Sequence, residues 1–140
     1  MSSLAPPWTA PRDAISHIRA AGLPELPLDS ESDSFILTIE VAVDDEAVPL
    51  APFIGIDRLR AVQAPVHTHD SSGDVWLEGE GNREVTLGQF FTLWGVRFGD
   101  GCLGDACAGL RVTADGRVVE DASSLVLRDH DVVQVTARTD

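Results

Sequence analysis

With 140 residues, of which 44% are hydrophobic and 24% are charged, the chain has the composition of one folded domain and not of a disordered segment. Its 23 acidic and 10 basic side chains give a net charge of −13. A surface this acidic repels phosphate backbones and anionic lipids, so we expect neither nucleic acid nor membrane as a partner.

The first residues carry no recognisable targeting signal. The segment MSSLAPPWTAPRD lacks the basic and apolar regions of a secretory signal peptide. No apolar run in the chain approaches the roughly 20 residues that span a bilayer. We therefore expect a cytoplasmic protein.

Residues 1–33 read as a leader in front of a single domain over residues 34–140. The leader begins with a loose, proline-rich stretch over residues 1–10. A short helix follows, with Asp13 near its N-terminus and Gly22 just past its end. The acidic segment LPELPLDSESDS then links the helix to the domain.

The domain opens with a hairpin. In SFILTIEVAVDDEAVPL apolar residues alternate over residues 35–43, which is the period of a strand with one buried face. Asp44 and Asp45 supply the turn, and a shorter strand returns towards Pro49, which suits a sheet edge. The next segment, APFIGIDRLR, shows no pattern that assigns an element.

A second hairpin follows over residues 62–77, with the turn residues DSSG at its tip. Val66 and its even-numbered neighbours face one side of the first strand, and Leu77 faces the same side from the second. His67 and His69 therefore share the opposite face, together with the side chains across from them, Trp76 and Glu78.

The segment VTLGQFFTLWG predicts a helix with a well-defined start. Thr86 and Gln89 have the spacing of a capping box, and Gly95 suits the end of the helix. The apolar side chains recur at helical spacing and predict a core-facing stripe: Leu87, Phe90, Phe91 and Trp94.

The last part of the chain adds a strand, a turn at Asp115-Gly116, a short strand and a final strand over residues 132–137. From residue 62 onwards the order is strand, strand, helix, strand, short strand, strand. This order predicts an α+β fold of the β-grasp (ubiquitin-like) type, a mixed sheet packed on one main helix. The final strand is expected to run parallel to the strand at 62–68, with the N-terminal helix and hairpin as additions.

The histidine hairpin is the candidate metal site. A strand places residues i and i+2 about 6–7 Å apart on one side, so the imidazoles of His67 and His69 can converge on one ion. Asp70 follows as a further ligand or as a residue that orients one. The glycine-rich loop with Cys102 and Cys107 is expected at the same end of the sheet. Two imidazoles and two thiolates would complete a tetrahedral zinc or copper(I) site.

Each of these residues also has a plainer interpretation. The hairpin tip can be a polar turn in which Asp70 accepts backbone N–H bonds. Cys102 and Cys107 can bind metal, stay free or pair, and in a cytoplasmic protein a lasting disulfide is the least expected of the three. His130 is expected at the opposite end of the sheet, shaping the entry to the final strand.

Residues 62–137 resemble a group of uncharacterised small bacterial proteins. The resemblance rests on HTHDSSG, TLGQFF, WGV and the Asp-Gly turn that precedes LVLRDHD. It implies metal binding at the hairpin and no particular reaction. In that group the second hairpin strand usually carries a third histidine, where this chain has Trp76.

The sequence therefore predicts a non-catalytic binding domain with a divalent or soft transition metal, zinc or copper, at the His67/His69 tip. One alternative is an acidic interaction module that docks on a partner enzyme through an exposed sheet edge. Another is a cupin-like metalloenzyme, because HTHDSSGD has cupin-like spacing; the second cupin motif is missing, and a helix stands where barrel strands should continue.

Overall fold

The computed structural model describes residues 6–28 and 34–140. Residues 1–5 of the predicted leader and residues 29–33 of the predicted acidic linker lie outside the described residues, and with them the boundary predicted at residue 33. The described segments form a mixed α+β structure dominated by strands.

Two α-helices lie in the described segments: α1 (Ala14–Ala20) and α2 (Leu87–Trp94). The strands are, in chain order, β1 (Leu26–Pro27), β2 (Phe35–Val43), β3 (Glu46–Val48), β4 (Ile56–Asp57), β5 (Val62–Gln63), β6 (Val66–His67), β7 (Asp74–Leu77), β8 (Phe98–Gly99), β9 (Cys102–Leu103), β10 (Ala108–Ala114), β11 (Arg117–Val118) and β12 (Val132–Arg138). These segments also contain three short 3₁₀ turns: Asn82–Glu84, Ala122–Ser124 and Leu127–Asp129. In the described segments no helix has the length and apolarity that a membrane crossing requires.

The main sheet has seven strands. Its order is β11-β10-β12-β2-β7-β6, and β3 pairs with the second half of β2 on the same side as β7. β12 runs parallel to β2, whereas the other pairs are antiparallel. Two small sheets accompany it, one of order β1-β5-β4 and one of β8 with β9. The predicted turns at Asp44-Asp45 and Asp115-Gly116 are both present, with positive φ at all four residues.

The partner of the final strand differs from the prediction. β12 is parallel to β2 over six residue pairs and does not pair with the strand region 62–68. β2 is an unbroken strand of nine residues that pairs along both of its edges, and four of its side chains point inward and are buried. The region 62–68 is broken into two short strands around Pro65, which has no N–H to donate to a ladder. β2, the first strand of the first hairpin, is therefore at the centre of the sheet and not an addition to it.

α2 packs on the buried face of this sheet. Its start matches the prediction, because the Thr86 side chain accepts from the Gln89 backbone and the Gln89 side chain accepts from the Thr86 backbone. Gly95 ends it in the left-handed conformation at φ 75. The predicted apolar stripe is buried: Leu87, Phe90, Phe91 and Trp94.

In the described part of the leader, Trp8 and Ile18 belong to the same core, and Trp8 lies within the stretch that was expected to be loose. Trp8 is buried, packs edge-on against Trp94 with ring centroids 5.5 Å apart, and accepts the Trp94 indole N–H at its carbonyl. α1 follows as predicted, with the Asp13 side chain accepting from the Ser16 backbone at 3.1 Å, and its Ile18 side chain is fully buried.

Candidate functional site

The register of the second hairpin sets the composition of the site. His67 lies directly opposite Trp76, and directly opposite residues of an antiparallel pair point to the same face. His69 and Glu78 lie two residues along each strand and share that face. The other face is core, as predicted, with Val66 and Leu77 fully buried.

A neighbouring segment of the chain holds the first strand in place. The backbone N–H of Phe53 donates to the Thr68 carbonyl, and that of Thr68 donates to the Ile54 carbonyl, both at 3.1 Å. The Thr68 hydroxyl donates to the Ala51 carbonyl at 2.7 Å and accepts the Ile54 N–H at 3.0 Å. Thr68 stands between the two histidines, so these bonds fix the strand on which both are carried.

His67 is fully buried, and both of its ring nitrogens have partners. Nδ1 lies 3.0 Å from the Ala64 carbonyl oxygen, and Nε2 lies 2.8 Å from Oε1 of Glu78. A carbonyl oxygen can only accept, so Nδ1 carries a proton and donates it. In the neutral ring, Nε2 is therefore the nitrogen with the free lone pair, and it points at a carboxylate oxygen.

The surroundings favour this neutral form. Burial lowers the pKa of His67 below its ordinary value of 6.5, since the charged ring loses its hydration. The hydrogen bond to Ala64 and the nearby Glu78 carboxylate act in the opposite direction but do not reverse the shift. A pKa lowered in this way favours the neutral imidazole, which is the form that binds metal ions.

Three potential ligand atoms meet at this face. One atom each from His67, His69 and Glu78 lie within 4.8 Å of one another. Glu78 is half-buried, and its second carboxylate oxygen accepts the Ser34 hydroxyl at 3.1 Å. The His69 ring is exposed and packs edge-on against the His67 ring and the Trp76 ring, with centroids 5.0 and 5.1 Å away.

Asp70 is not part of this group. Its Oδ1 accepts the Ser72 backbone N–H at 3.0 Å and the Ser72 hydroxyl at 2.6 Å. These two bonds, the hydroxyl first, lower the pKa of the exposed Asp70 carboxyl below its ordinary value. Asp70 shapes the turn, which is the plainer of its two sequence interpretations.

The cysteine ligands predicted from the sequence are excluded. Cys102 and Cys107 form a disulfide with each other, so neither offers the thiolate that zinc or copper(I) would bind. The proposed set of two imidazoles and two thiolates is therefore wrong. A disulfide is also at odds with the expected cytoplasmic location, where such bonds are rare; that location stays a prediction.

His130 takes part in a different local structure. Its Nδ1 lies 3.0 Å from Oδ2 of Asp115, whose Oδ1 accepts the backbone N–H groups of Asp131 and Val132. These bonds tie the β10–β11 turn to the entry of β12. His130 thus shapes the start of the final strand, as predicted. Its expected position at the opposite end of the sheet is wrong, because β12 begins with Val132 beside Thr38, and Thr38 pairs with Asp74 of the second hairpin.

Glu78 is the member of this cluster that the sequence interpretation placed on the right face but did not select. The signal that could have identified it is the hairpin register: a residue at j+2 is a diagonal neighbour of residue i and within reach of a long side chain. Glu78 stands two residues beyond Trp76 in that relation to His67.

Comparisons of this chain with protein-family models, with curated proteins and with solved structures find no match.

Proposed function

We propose that the protein is a small binding domain that holds one divalent transition metal on His67, His69 and Glu78. The observation that supports the proposal is the contact between the His67 Nε2 and the Glu78 Oε1, which are 2.8 Å apart. The Nδ1 proton of the same ring donates to the Ala64 carbonyl. Metal-binding histidines commonly donate their second ring N–H to a carbonyl in this way, which fixes the orientation of the ligand nitrogen.

A positive charge between these two atoms resolves their electrostatic conflict. A neutral imidazole nitrogen and a carboxylate oxygen both present lone pairs, so at 2.8 Å they repel unless a proton or a cation lies between them. Burial disfavours the proton on His67. In a tetrahedral site with bonds of about 2.0–2.1 Å, the two atoms would be about 3.3 Å apart, so a metal needs only a small opening of the pair.

The donor set favours zinc over copper(I). Two imidazoles and one carboxylate suit zinc and iron(II), whereas copper(I) prefers the sulfur ligands that the disulfide removes. Three protein ligands leave a position for water or for a group from a partner. We propose metal binding as the function, because all three side chains of the cluster serve as ligands.

We also propose that the fold is a β-grasp in which β2, and not the 62–68 region, is the first strand. Its support is the order β7-β2-β12-β10 with β2 and β12 parallel, and with α2 between β7 and β10 in the chain. A cupin-like enzyme has less support, since cupins are antiparallel double sheets and this sheet is mixed.

The alternative of an acidic interaction module has support in the net charge of −13 but little in the sheet edges. β11 offers only two residues for strand addition. At the opposite edge, the segment 53–55 already hydrogen-bonds to Ala64 and Thr68. Strand addition therefore has little support at these two places.

The test is metal uptake by protein purified without a histidine tag. Zinc should bind at a stoichiometry near one, and cobalt(II) in its place should show the visible absorption of an imidazole-ligated ion. Glu78→Gln and His69→Ala should each weaken zinc binding by at least about tenfold to hundredfold, the range seen even for residues that only orient ligands. Binding should weaken as the pH falls below 6.5 towards the lowered pKa of His67, because a protonated ring cannot bind the metal.

The controls are the neighbouring Glu80→Gln and the helical His17→Ala, which remove the same chemical groups outside the cluster. Asp70→Asn should also bind zinc normally, which separates this donor set from the one expected from the sequence. Equal zinc affinity in wild type and Glu78→Gln would contradict the proposal.

A further inference from the structure

An open groove with a volume of about 530 Å³ lies between the segment that precedes α1 and the connection from Pro49 to Leu59. This volume is within the range of about 300–1,000 Å³ that is typical of small-molecule sites. None of the three proposed metal ligands lines it, so it is a separate site, and the two proposals can be tested independently.

The floor of the groove is apolar and buried. Trp8, Leu50 and Ile56 line it, and all three are at least nine-tenths buried. Phe53 forms a half-buried wall, and its φ of 64 is held by the backbone bond to Thr68. At the rim, the Leu59 side chain is fully exposed, at 100%. A large apolar side chain without cover beside an apolar groove marks a surface that a ligand can bury.

The charge at the mouth of the groove is positive, in contrast to the chain as a whole. Arg12 and Arg58 line the groove. The lining carboxylate, Asp57, is neutralised, because its Oδ2 lies 3.2 Å from Nη1 of Arg60 and its Oδ1 accepts the Arg60 backbone N–H. Among the described residues that line the groove, two guanidinium groups therefore face it, and the one carboxylate is already paired.

Arg58 is oriented by the wall of the groove. Its Cζ lies 4.0 Å from the centroid of the Phe53 ring, so the flat face of the guanidinium rests on the ring. This contact uses the face of the group, and among residues 6–28 and 34–140 its N–H edge makes no hydrogen bond. Such an edge binds a carboxylate through two parallel hydrogen bonds.

We propose that this groove binds a small aromatic carboxylate, with the ring system on the Trp8–Ile56 floor and the carboxylate on the edge of Arg58. The apolar floor selects the flat body of the ligand, and the guanidinium selects its charge. Neutral and cationic molecules of the same shape are disfavoured, the latter by direct repulsion from Arg12 and Arg58.

The experiment uses three probes of one shape: naphthalene-2-carboxylate, 2-naphthamide and 2-naphthylmethylammonium. Calorimetry measures their affinity for the full chain, and ¹H–¹⁵N spectra report on the Trp8 indole. The carboxylate should bind at least about tenfold more tightly than the amide, a difference of about 1.4 kcal/mol. The ammonium probe should bind most weakly, and only bound probes should shift the Trp8 signal.

Arg58→Gln should reduce carboxylate affinity to that of the amide and leave amide affinity unchanged. Arg111→Gln, which removes an exposed arginine on the polar face of the sheet, should change neither. No binding of any probe, equal binding of all three, or unchanged carboxylate affinity in Arg58→Gln would overturn the proposal.

Discussion

Replacing Gly55 by alanine tests how closely the 53–55 segment approaches the strand that carries His67. Gly55 has a φ of +77, and a Cβ added there would lie 2.6 Å from the Val66 carbonyl oxygen. Ordinary contacts of a Cβ begin at 3.4 Å, so the two backbones would have to separate by about 0.8 Å, that is 3.4 minus 2.6. Neither partner is a flexible side chain that could move instead.

The expected loss of stability has two parts. An alanine at this positive φ costs about 1–2 kcal/mol. The separation also stretches the 2.8 Å bond from the Ala64 N–H to the Gly55 carbonyl and the neighbouring bond from Thr68 to Ile54. Two weakened backbone bonds add about 1 kcal/mol each. The total of about 3–4 kcal/mol is a large fraction of the roughly 5–15 kcal/mol by which folded domains are usually stable.

Gly101→Ala is the matched control. Gly101 has a φ of +78, but a Cβ there meets nothing within 4 Å. This variant should therefore lose only the backbone part, about 1–2 kcal/mol. Urea unfolding of both variants measures the difference, and zinc titration should show weakened binding in Gly55→Ala alone, because Val66 precedes His67. Stabilities of the two variants within about 0.5 kcal/mol of each other would refute the close approach of the two segments.

Two further predictions concern the buried histidine and the helix. The pKa of His67 is lowered in the folded state, so the contribution of this group to the stability of the metal-free protein should be complete above pH 6.5 and be lost as the pH falls towards the lowered pKa. The slope for this one group is at most about 1.4 kcal/mol per pH unit. Urea melts of the wild type should show this pH dependence, and those of His67→Gln should not. Phe90→Ala should destabilise the protein by about 3–5 kcal/mol through the cavity it leaves, whereas Thr86→Ala should cost about 1 kcal/mol through the lost helix cap. Equal losses of stability in chemical unfolding would contradict this assignment of the core face.

The sequence by itself determined the local elements. The capping box at Thr86 and Gln89, the alternation over residues 35–43 and the faces of the second hairpin are all present as predicted. These features follow from interactions between residues a few positions apart, which the order of side chains specifies directly. For the same reason, the alternation of the strand was enough to place His67 and His69 on one face.

Tertiary structure decided which strand became the centre of the sheet. The alternation of residues 35–43 does not say which strands will pair with it, and the choice depends on competition for ladder positions along the whole chain. β2 pairs with β12 because β2 is long and unbroken, whereas Pro65 interrupts the strand region 62–68. Trp8 likewise lies in the core because it packs against Trp94, which is distant from it in sequence.

In the candidate site, too, some features follow from the local sequence and others only from the tertiary structure. The two histidines could be found from their spacing, but the tautomer of His67 depends on the Ala64 carbonyl, and its nearest potential co-ligand is Glu78, on the other strand. The burial that lowers its pKa arises from packing in the folded chain, including the close approach of Gly55. The pairing of Cys102 with Cys107 depends on how their loop folds back. Each of these features is a distance between groups in space, which spacing along the chain does not specify.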